Sequence, residues 1–331
     1  MKALIPVAGA GTRLRPHTYT QPKPLIPVAG KPIIASIIEQ LQEYGIEEFV
    51  FVIGYLGDKI RKYIEDNYPD IKKVFVYQEE RLGLGHAIWV AQKEFMQERE
   101  FLIMLGDTIL DGDLGGILSS KTTCLGVKKV DDPREFGVVV LDEDRYIRKV
   151  VEKPRIPKSN MAIVGIYKIC EVPELIAALS YVIEHEVKTM DEFQLTDALM
   201  QMVRLGCKIS VCPISNWFDC GKKEILLATN AMLLQRRERE EGAHYSFSNT
   251  IIIPPVRIGK GCKIENSIVG PNVSVGDGAQ LKQAIIYDSI IGNYASIEEA
   301  VLQRSIIGSD ASVKGLSQSL NIGDNTEIDF S

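Results

Sequence analysis

The sequence predicts an α/β domain on a mixed, mostly parallel sheet with helices on both faces, followed by a short parallel β-helix. Three observations carry this. Short apolar runs rich in Val, Ile and Phe alternate with amphipathic helical patterns to about residue 240. The middle of the chain is strand-rich without long helices between the strands. Beyond Gly242 an aliphatic residue returns every six positions with glycine beside it. The chain has 331 residues, too many for one ordinary domain, so two are expected, 1–241 and 242–331.

Taken in order, strands are expected at Ala3–Val7, Phe49–Ile53, Val74–Tyr77 and Phe101–Leu105. Amphipathic stretches around Ile33–Tyr44, Lys59–Asn67 and His86–Met96 fill the gaps. This alternation means a largely parallel sheet, whose ligands gather beyond the carboxyl ends of the strands. Phe136–Leu141, Ile147–Glu152 and Ala162–Ile169 read as further strands, which makes the sheet mixed. Lys222–Glu241 reads as an amphipathic helix whose charged end, Arg236 to Glu241, is a solvated face.

In the tail, Ile252, Ile258 and Ile264 fall six apart, as do Val269, Val275 and Leu281, then Ile291 with Ile297, and Ile307 with Val313. Glycine follows at Gly259, Gly270, Gly276, Gly292 and Gly308. Each turn of such a coil is too small to bury its own core, so the aliphatic residues must stack as an inward ladder, with glycines easing the corners. The stride slips after Ile264 and again before Ile291 and Ile307, marking irregular turns.

Composition removes several function classes. No apolar run reaches the ~20 residues of a membrane span. The opening Met1–Val7 runs into Gly9, Gly11 and Arg13 too soon for a signal peptide and reads as a first strand. A net charge of −6 argues against a nucleic-acid binder. The six cysteines are scattered without Cys-x-x-Cys spacing, so neither a zinc site nor a disulfide framework is indicated. A reducing, cytoplasmic setting, no membrane partner and no nucleic-acid partner are expected.

The first strand runs into Pro6-Val-Ala-Gly-Ala-Gly-Thr-Arg-Leu14. Gly9, Ala10 and Gly11 let backbone N–H groups turn toward an anion, and Thr12 and Arg13 add donors suited to phosphate oxygens. A dinucleotide fingerprint would need glycine at Leu14. A P-loop fails because Gly30-Lys31 is followed by Pro32, with Leu25 at the place of the first glycine. Alone, Gly-x-Gly is a plain turn. Ten residues on, however, Lys23 sits between Pro22 and Pro24, whose rings favour extended backbone and aim the lysine.

Gly-x-Gly-Thr-Arg, the spacer and Pro-Lys together resemble the signature of the sugar-1-phosphate nucleotidylyltransferase (sugar-nucleotide pyrophosphorylase) family. Further matches follow in family order across nearly the whole chain. Gln78 with Gly83-Leu-Gly-His-Ala87 resembles the base-recognition segment. Gln78 can both donate and accept, which suits the O4/N3 edge of a pyrimidine, and Gly83 would let backbone approach the base. His86 reads as a helix residue, not a catalyst. Asp107 ends a buried strand where the family holds a metal aspartate, and Trp217-Phe-Asp219-Cys-Gly221 matches the motif of the second. Magnesium prefers one or two carboxylates plus substrate phosphates. Asp111 and Asp113 read as solvated loop acids.

On the sugar side, Phe136-Gly137-Val-Val and Val151-Glu152-Lys153-Pro154 resemble the sugar-binding strands. By that resemblance Glu152 accepts hexose hydroxyls, Lys153 holds the 1-phosphate, and Gly165 turns its backbone to the sugar. Lys188 is a further basic candidate near Asp191–Asp197. The resemblance implies a Rossmann-like sheet, a left-handed β-helix, Mg2+, and a nucleoside triphosphate and a sugar 1-phosphate as substrates; the short β-helix is expected to build a homo-oligomer, or else to shield one end of the catalytic domain. Arg13, Lys23 and Lys153 are the expected catalytic cations, each contributing ~2.7–4 kcal/mol by analogy with an oxyanion-hole donor.

Glucose 1-phosphate with dTTP is the expected pair, with a UTP-dependent uridylyltransferase or a mannose-1-phosphate guanylyltransferase as alternatives. A regulatory or scaffold protein on the same frame would tend to lose the phosphate and metal residues, all of which stand here. A β-helix acetyltransferase would want a histidine within the repeat; His17, His86, His185 and His244 all lie outside it.

Overall fold

The computed structural model describes residues 1–241 and 245–315. Gly242, His244 and the expected β-helix residues 316–331 lie outside that description. Two compact units emerge: Met1–Pro27 with Lys31–Leu226, and Val28–Gly30 with the chain from Leu227 onward.

The first unit is laid on a nine-stranded sheet. Strands β1 (Lys2–Val7), β2 (Glu48–Ile53) and β3 (Lys72–Tyr77) pair in parallel, and β4 (Phe101–Met104) joins β1 from its other side. A short β5 (Thr108–Asp111) follows outside this sheet. Then come β6 (Cys124–Lys129), β7 (Gly137–Leu141), β8 (Ile147–Glu152) and β9 (Met161–Ile169). β9 runs antiparallel to β4, β6 and β7, and β8 antiparallel to β7. β10 (Ser210–Pro213) adds to β6 in parallel. The sheet is therefore parallel through β4-β1-β2-β3 and antiparallel around β9, the mixture expected from the helix-poor middle of the chain.

The parallel half is built from crossover connections. Helix α1 (Ile33–Glu43) lies between β1 and β2, α2 (Gly57–Asn67) between β2 and β3, and α3 (Leu84–Val90) between β3 and β4. A single turn, α4 (Gly115–Leu118), precedes β6, while α5 (Val172–Glu184) and α6 (Leu195–Arg204) follow β9. Leu4, Val50 and Val52 share one core cluster with Ile88 of α3, Leu179 of α5 and Leu199 of α6. Ala3, Ile5 and Phe51, on the other face of the same strands, are equally inaccessible. Both faces are covered, which explains why these strands read as continuous apolar runs.

The helix expected over His86–Met96 stops at Val90 and continues as a 3-10 turn at Gln92–Glu94. This tighter turn precedes the packing of Phe95 on Phe101, ring centroids 4.3 Å apart.

The second unit is the parallel β-helix. Three four-stranded parallel sheets carry the ladders Ile252-Val269-Ile286-Leu302, Ile258-Val275-Ile291-Ile307 and Ile264-Leu281-Ile297-Val313. Neighbouring coils are 17 residues apart at first and 16 later, as side-chain bonds from Asn249 to Asn266 and from Asn272 to Asp288 mark. Three hexads would take more, so the stride must slip, and the missed ladder members Ile286 and Leu302 sit where it does. Gly276 is needed for stacking and not for a corner: a Cβ there would lie 2.4 Å from Asn293 Oδ1 of the next coil. Of the glycines expected at corners Gly270 does take a positive φ (111°), as do Asn266, Gln283 and Glu299 at equivalent places in successive coils.

Within this unit, Asn230 of helix α7 (Lys223–Glu241) is buried. Its Oδ1 accepts from Ala29 N at 2.9 Å and its Nδ2 donates to Asn272 O at 3.0 Å.

Candidate active site

The carboxyl ends of the parallel strands open onto a cleft of about 1020 Å3, and every site residue expected from the sequence lines it, apart from the further candidate Lys188. The first wall follows β1. Gly11 takes a left-handed backbone (φ 61°), and Thr18 Oγ1 donates to its carbonyl at 2.8 Å. A Cβ at Gly11 would meet Thr18 Cγ2 at 2.9 Å, so glycine is required. Thr12–Leu14 then form one 3-10 turn that buries Leu14 and leaves Thr12 and Arg13 exposed at the cleft. Pro22 is extended as expected, but Lys23–Leu25 close into another 3-10 turn.

Two carboxylates meet the Lys23 ammonium. Asp107 follows β4. Asp219 ends β11 (Asn216–Asp219), which pairs antiparallel with β5 and sets Asp219 opposite Thr108. Cys220 N donates to Asp107 O at 3.0 Å, which locks the two segments together. Lys23 Nζ lies 2.5 Å from Asp107 Oδ2 and 3.8 Å from Asp219 Oδ1. Burial alone would lower the Lys23 pKa, but the two carboxylates outweigh it and the net shift is upward. Asp219 also moves up, through burial and then repulsion from Asp107, against the pull of Lys23 and Arg13. The two directions agree: one ammonium cannot neutralise two half-buried carboxylates.

That surplus of negative charge, on hard oxygen donors in a cleft that Arg13 and Lys153 also line, fits a magnesium ion. Among the described residues no group of three or more His, Cys, Asp or Glu forms a metal cage. Magnesium needs none, since water and substrate phosphates complete its shell.

Where the base is expected, Gln78 follows β3, almost fully buried, with its Nε2 donating to Gly83 O at 3.0 Å. Gly83 has φ 104°, and a Cβ there would meet Phe193 O at 2.6 Å. Its glycine is thus imposed by close packing of the 82–85 segment on Phe193, whose N–H also donates to Leu82 O at 2.7 Å.

Where the sugar is expected, Glu152 ends β8 and accepts from Thr196 Oγ1 at 3.1 Å, with Lys153 Nζ 3.6 Å away. Burial pushes the Glu152 carboxyl up, partly offset by Lys153 and Thr196. Lys153 takes a left-handed backbone (φ 38°), a strained conformation of the kind found at functional sites. Gly137 and Gly165 line the same end; a Cβ at Gly165 would meet Thr108 Oγ1 at 2.7 Å.

Some contacts escaped the sequence reading. Phe136 and Trp217 pack edge to face, 4.7 Å apart, and both line the cleft. Glu135 lines it too and pairs with Lys222 at 2.5 Å. Thr196 had no signal beyond its place in Asp191–Asp197. Lys188 is not in the lining; its ammonium lies over the Phe193 ring at 4.9 Å. Asp111 and Asp113 are outside it as well, accepting from Asn216 Nδ2 and Gly115 N.

The family described as nucleotidyl transferase matches residues 2–236, and that described as GlmU-like C-terminal hexapeptide matches 241–291. The bifunctional protein GlmU of Methanocaldococcus jannaschii is 37% identical over 241 residues, 71% of this chain. This chain spans only 55% of that relative's length. The UTP–glucose-1-phosphate uridylyltransferase AglF of Haloferax volcanii is 31% identical over 68% of this chain and 93% of its own. A crystal structure from Bacillus anthracis, assigned as a glucose-1-phosphate thymidylyltransferase and solved with sucrose, superposes with a TM-score of 0.60 at 26% identity. It covers 70% of this chain and 94% of its own. No helix among the described residues is long and apolar enough to cross a membrane. With the family match over residues 2–236 and hexapeptide coils behind it, the chain belongs to the sugar-1-phosphate nucleotidyltransferases of the nucleotidyl transferase family, joined to a left-handed β-helix.

Proposed function

We propose that this chain transfers a nucleotidyl group from a nucleoside triphosphate to a sugar 1-phosphate, releasing pyrophosphate and forming a nucleotide-activated sugar. The observation that carries this reading is the convergence of Lys23, Asp107 and Asp219 in a cleft that Arg13 and Lys153 also line.

A phosphate oxygen of the sugar phosphate attacks the α-phosphorus in line. A new P–O bond forms there as the bond to the β-phosphate oxygen breaks, and pyrophosphate leaves from the opposite side. No protein nucleophile is needed, and the described residues lining the cleft include no Ser, Cys or His. Catalysis is then positioning and charge neutralisation. Arg13 neutralises the departing β- and γ-phosphates, Lys23 the α-phosphate, and Lys153 the phosphate of the nucleophile. Asp107 and Asp219 would hold Mg2+, which supplies further neutralisation of phosphate charge when bound. Glu152 accepts from the hexose hydroxyls, and the left-handed Gly165 leaves backbone open to the ring.

For the substrates, glucose 1-phosphate with dTTP is the favoured pair, in line with the assignment of the Bacillus anthracis structure. UTP is the second reading, favoured by the likeness to AglF. A homo-oligomer in the cytoplasm is part of the same proposal. Pyrophosphate release measured over a matrix of triphosphates and sugar 1-phosphates tests it. The expected maximum is dTTP with glucose 1-phosphate; release with no pair overturns the reading.

A further inference from the structure

Gln78 is held by its amide nitrogen from two sides. Nε2 donates to Gly83 O at 3.0 Å and lies 3.0 Å from His86 Nδ1. A backbone carbonyl only accepts, so the nitrogen end of the amide must face Gly83. The second amide hydrogen then meets His86 Nδ1, which accepts it when the ring carries its proton on Nε2. Burial lowers the His86 pKa against an opposing pull from Glu80, which favours that neutral ring at pH 7. The ring is itself stacked against Trp89 and against Phe193, with centroids 5.9 and 6.4 Å away. With both amide hydrogens engaged, Gln78 has only Oε1 left to offer the cleft it lines, and among the described residues no donor is paired with that oxygen.

We propose that His86 is a positioning residue for base selection: by accepting the second N–H of Gln78, it fixes that amide as an acceptor-only contact for the nucleobase. The contact suits bases whose ring nitrogen on the pairing edge carries hydrogen. Uracil and thymine present N3–H, and guanine N1–H. Cytosine and adenine present a bare acceptor there, so two lone pairs would face each other. The amide thus loses the two-way capacity it has in isolation and becomes a filter. This rests on the nucleotidyl-transfer reading and names the base class that the site takes.

The test compares wild type with His86→Phe, which keeps the stacked ring and removes Nδ1. With the better of dTTP and UTP, His86→Phe should raise the triphosphate KM about tenfold while kcat stays within about twofold. Preference for that triphosphate over CTP should fall by a similar factor. In a Gln78→Leu background, His86→Phe should add nothing, because the partner it orients is gone. Wild-type enzyme offered the N3-methylated triphosphate should show the same rise in KM, a measurement independent of any variant's folding. Unchanged KM and preference in a folded His86→Phe, or indifference to N3-methylation, overturns this inference and leaves the transferase reading intact. Turnover confined to ATP or CTP does the same. No turnover by wild type with any triphosphate overturns the transferase reading, and this inference with it.

Discussion

The Lys23 ammonium lies 2.5 Å from Asp107 Oδ2, which leaves Asp219, 3.8 Å away, the lesser share of the same charge. Lys23 comes from the loop after β1, Asp107 from the end of β4 and Asp219 from β11, so three distant segments meet at one point. Within ion-pair distance, one ammonium is shared between two carboxylates. A divalent cation at the two carboxylates would correct that and release the ammonium toward a phosphate.

Asp107→Ala or Asp219→Ala should reduce turnover by about 10²–10³. Chelation of wild-type enzyme should stop pyrophosphate release, and added Mg2+ should restore it. Calorimetric titration should show weaker Mg2+ binding in each variant than in wild type. Full turnover in either variant contradicts the assignment.

Arg13→Ala and Lys153→Ala should separate the two substrates. Each is expected to lose about 10²–10³ in kcat/KM. Arg13→Ala should raise KM chiefly for the triphosphate, and Lys153→Ala chiefly for the sugar phosphate. Steady-state kinetics with each substrate varied in turn reads this out.

Glu152→Gln should raise Tm at pH 7 while weakening sugar-phosphate binding. The folded carboxyl sits above its ordinary value of 4.5, so the fold favours its protonated form. That favourable contribution is present below 4.5 and is lost as pH rises through the elevated value. Glutamine stays neutral throughout. Thermal melts should therefore show the variant's advantage at neutral pH closing as pH falls below the ordinary value.

Gly83→Ala should lower stability by about 1–3 kcal/mol, since φ 104° and the Phe193 carbonyl at 2.6 Å leave no room for a methyl. In the β-helix, Leu281→Ala should cost about 2–5 kcal/mol by opening a cavity between Ile264 and Ile297. Denaturant melts measure both.

Local pattern made much of this legible. The run Ala3–Val7 is a strand because it alternates between two covered faces, and Gly11 stands where the chain needs a left-handed turn. Asp107 could be placed at a strand end from apolar patterning alone. Its meeting with Asp219 could not, because antiparallel pairing of β5 with β11 joins segments about a hundred residues apart with no local signal. Family resemblance supplied that pairing. The same limit hid Phe136 against Trp217, and Thr196 against Glu152. In the β-helix the six-residue stride was plain, but coils of 17 and 16 residues displaced Ile286 and Leu302 from it. His86 looked like a helix residue because it is one; its bond to Gln78 depends on how the 82–85 segment folds back onto Phe193.

The most direct measurement is a crystal structure of the chain soaked with a nucleoside triphosphate and Mg2+. One triphosphate is expected in the cleft, its phosphates touching Arg13 and Lys23, with the metal on Asp107 and Asp219. A triphosphate bound elsewhere, or those side chains turned away from it, would contradict nucleotidyl transfer at this cleft.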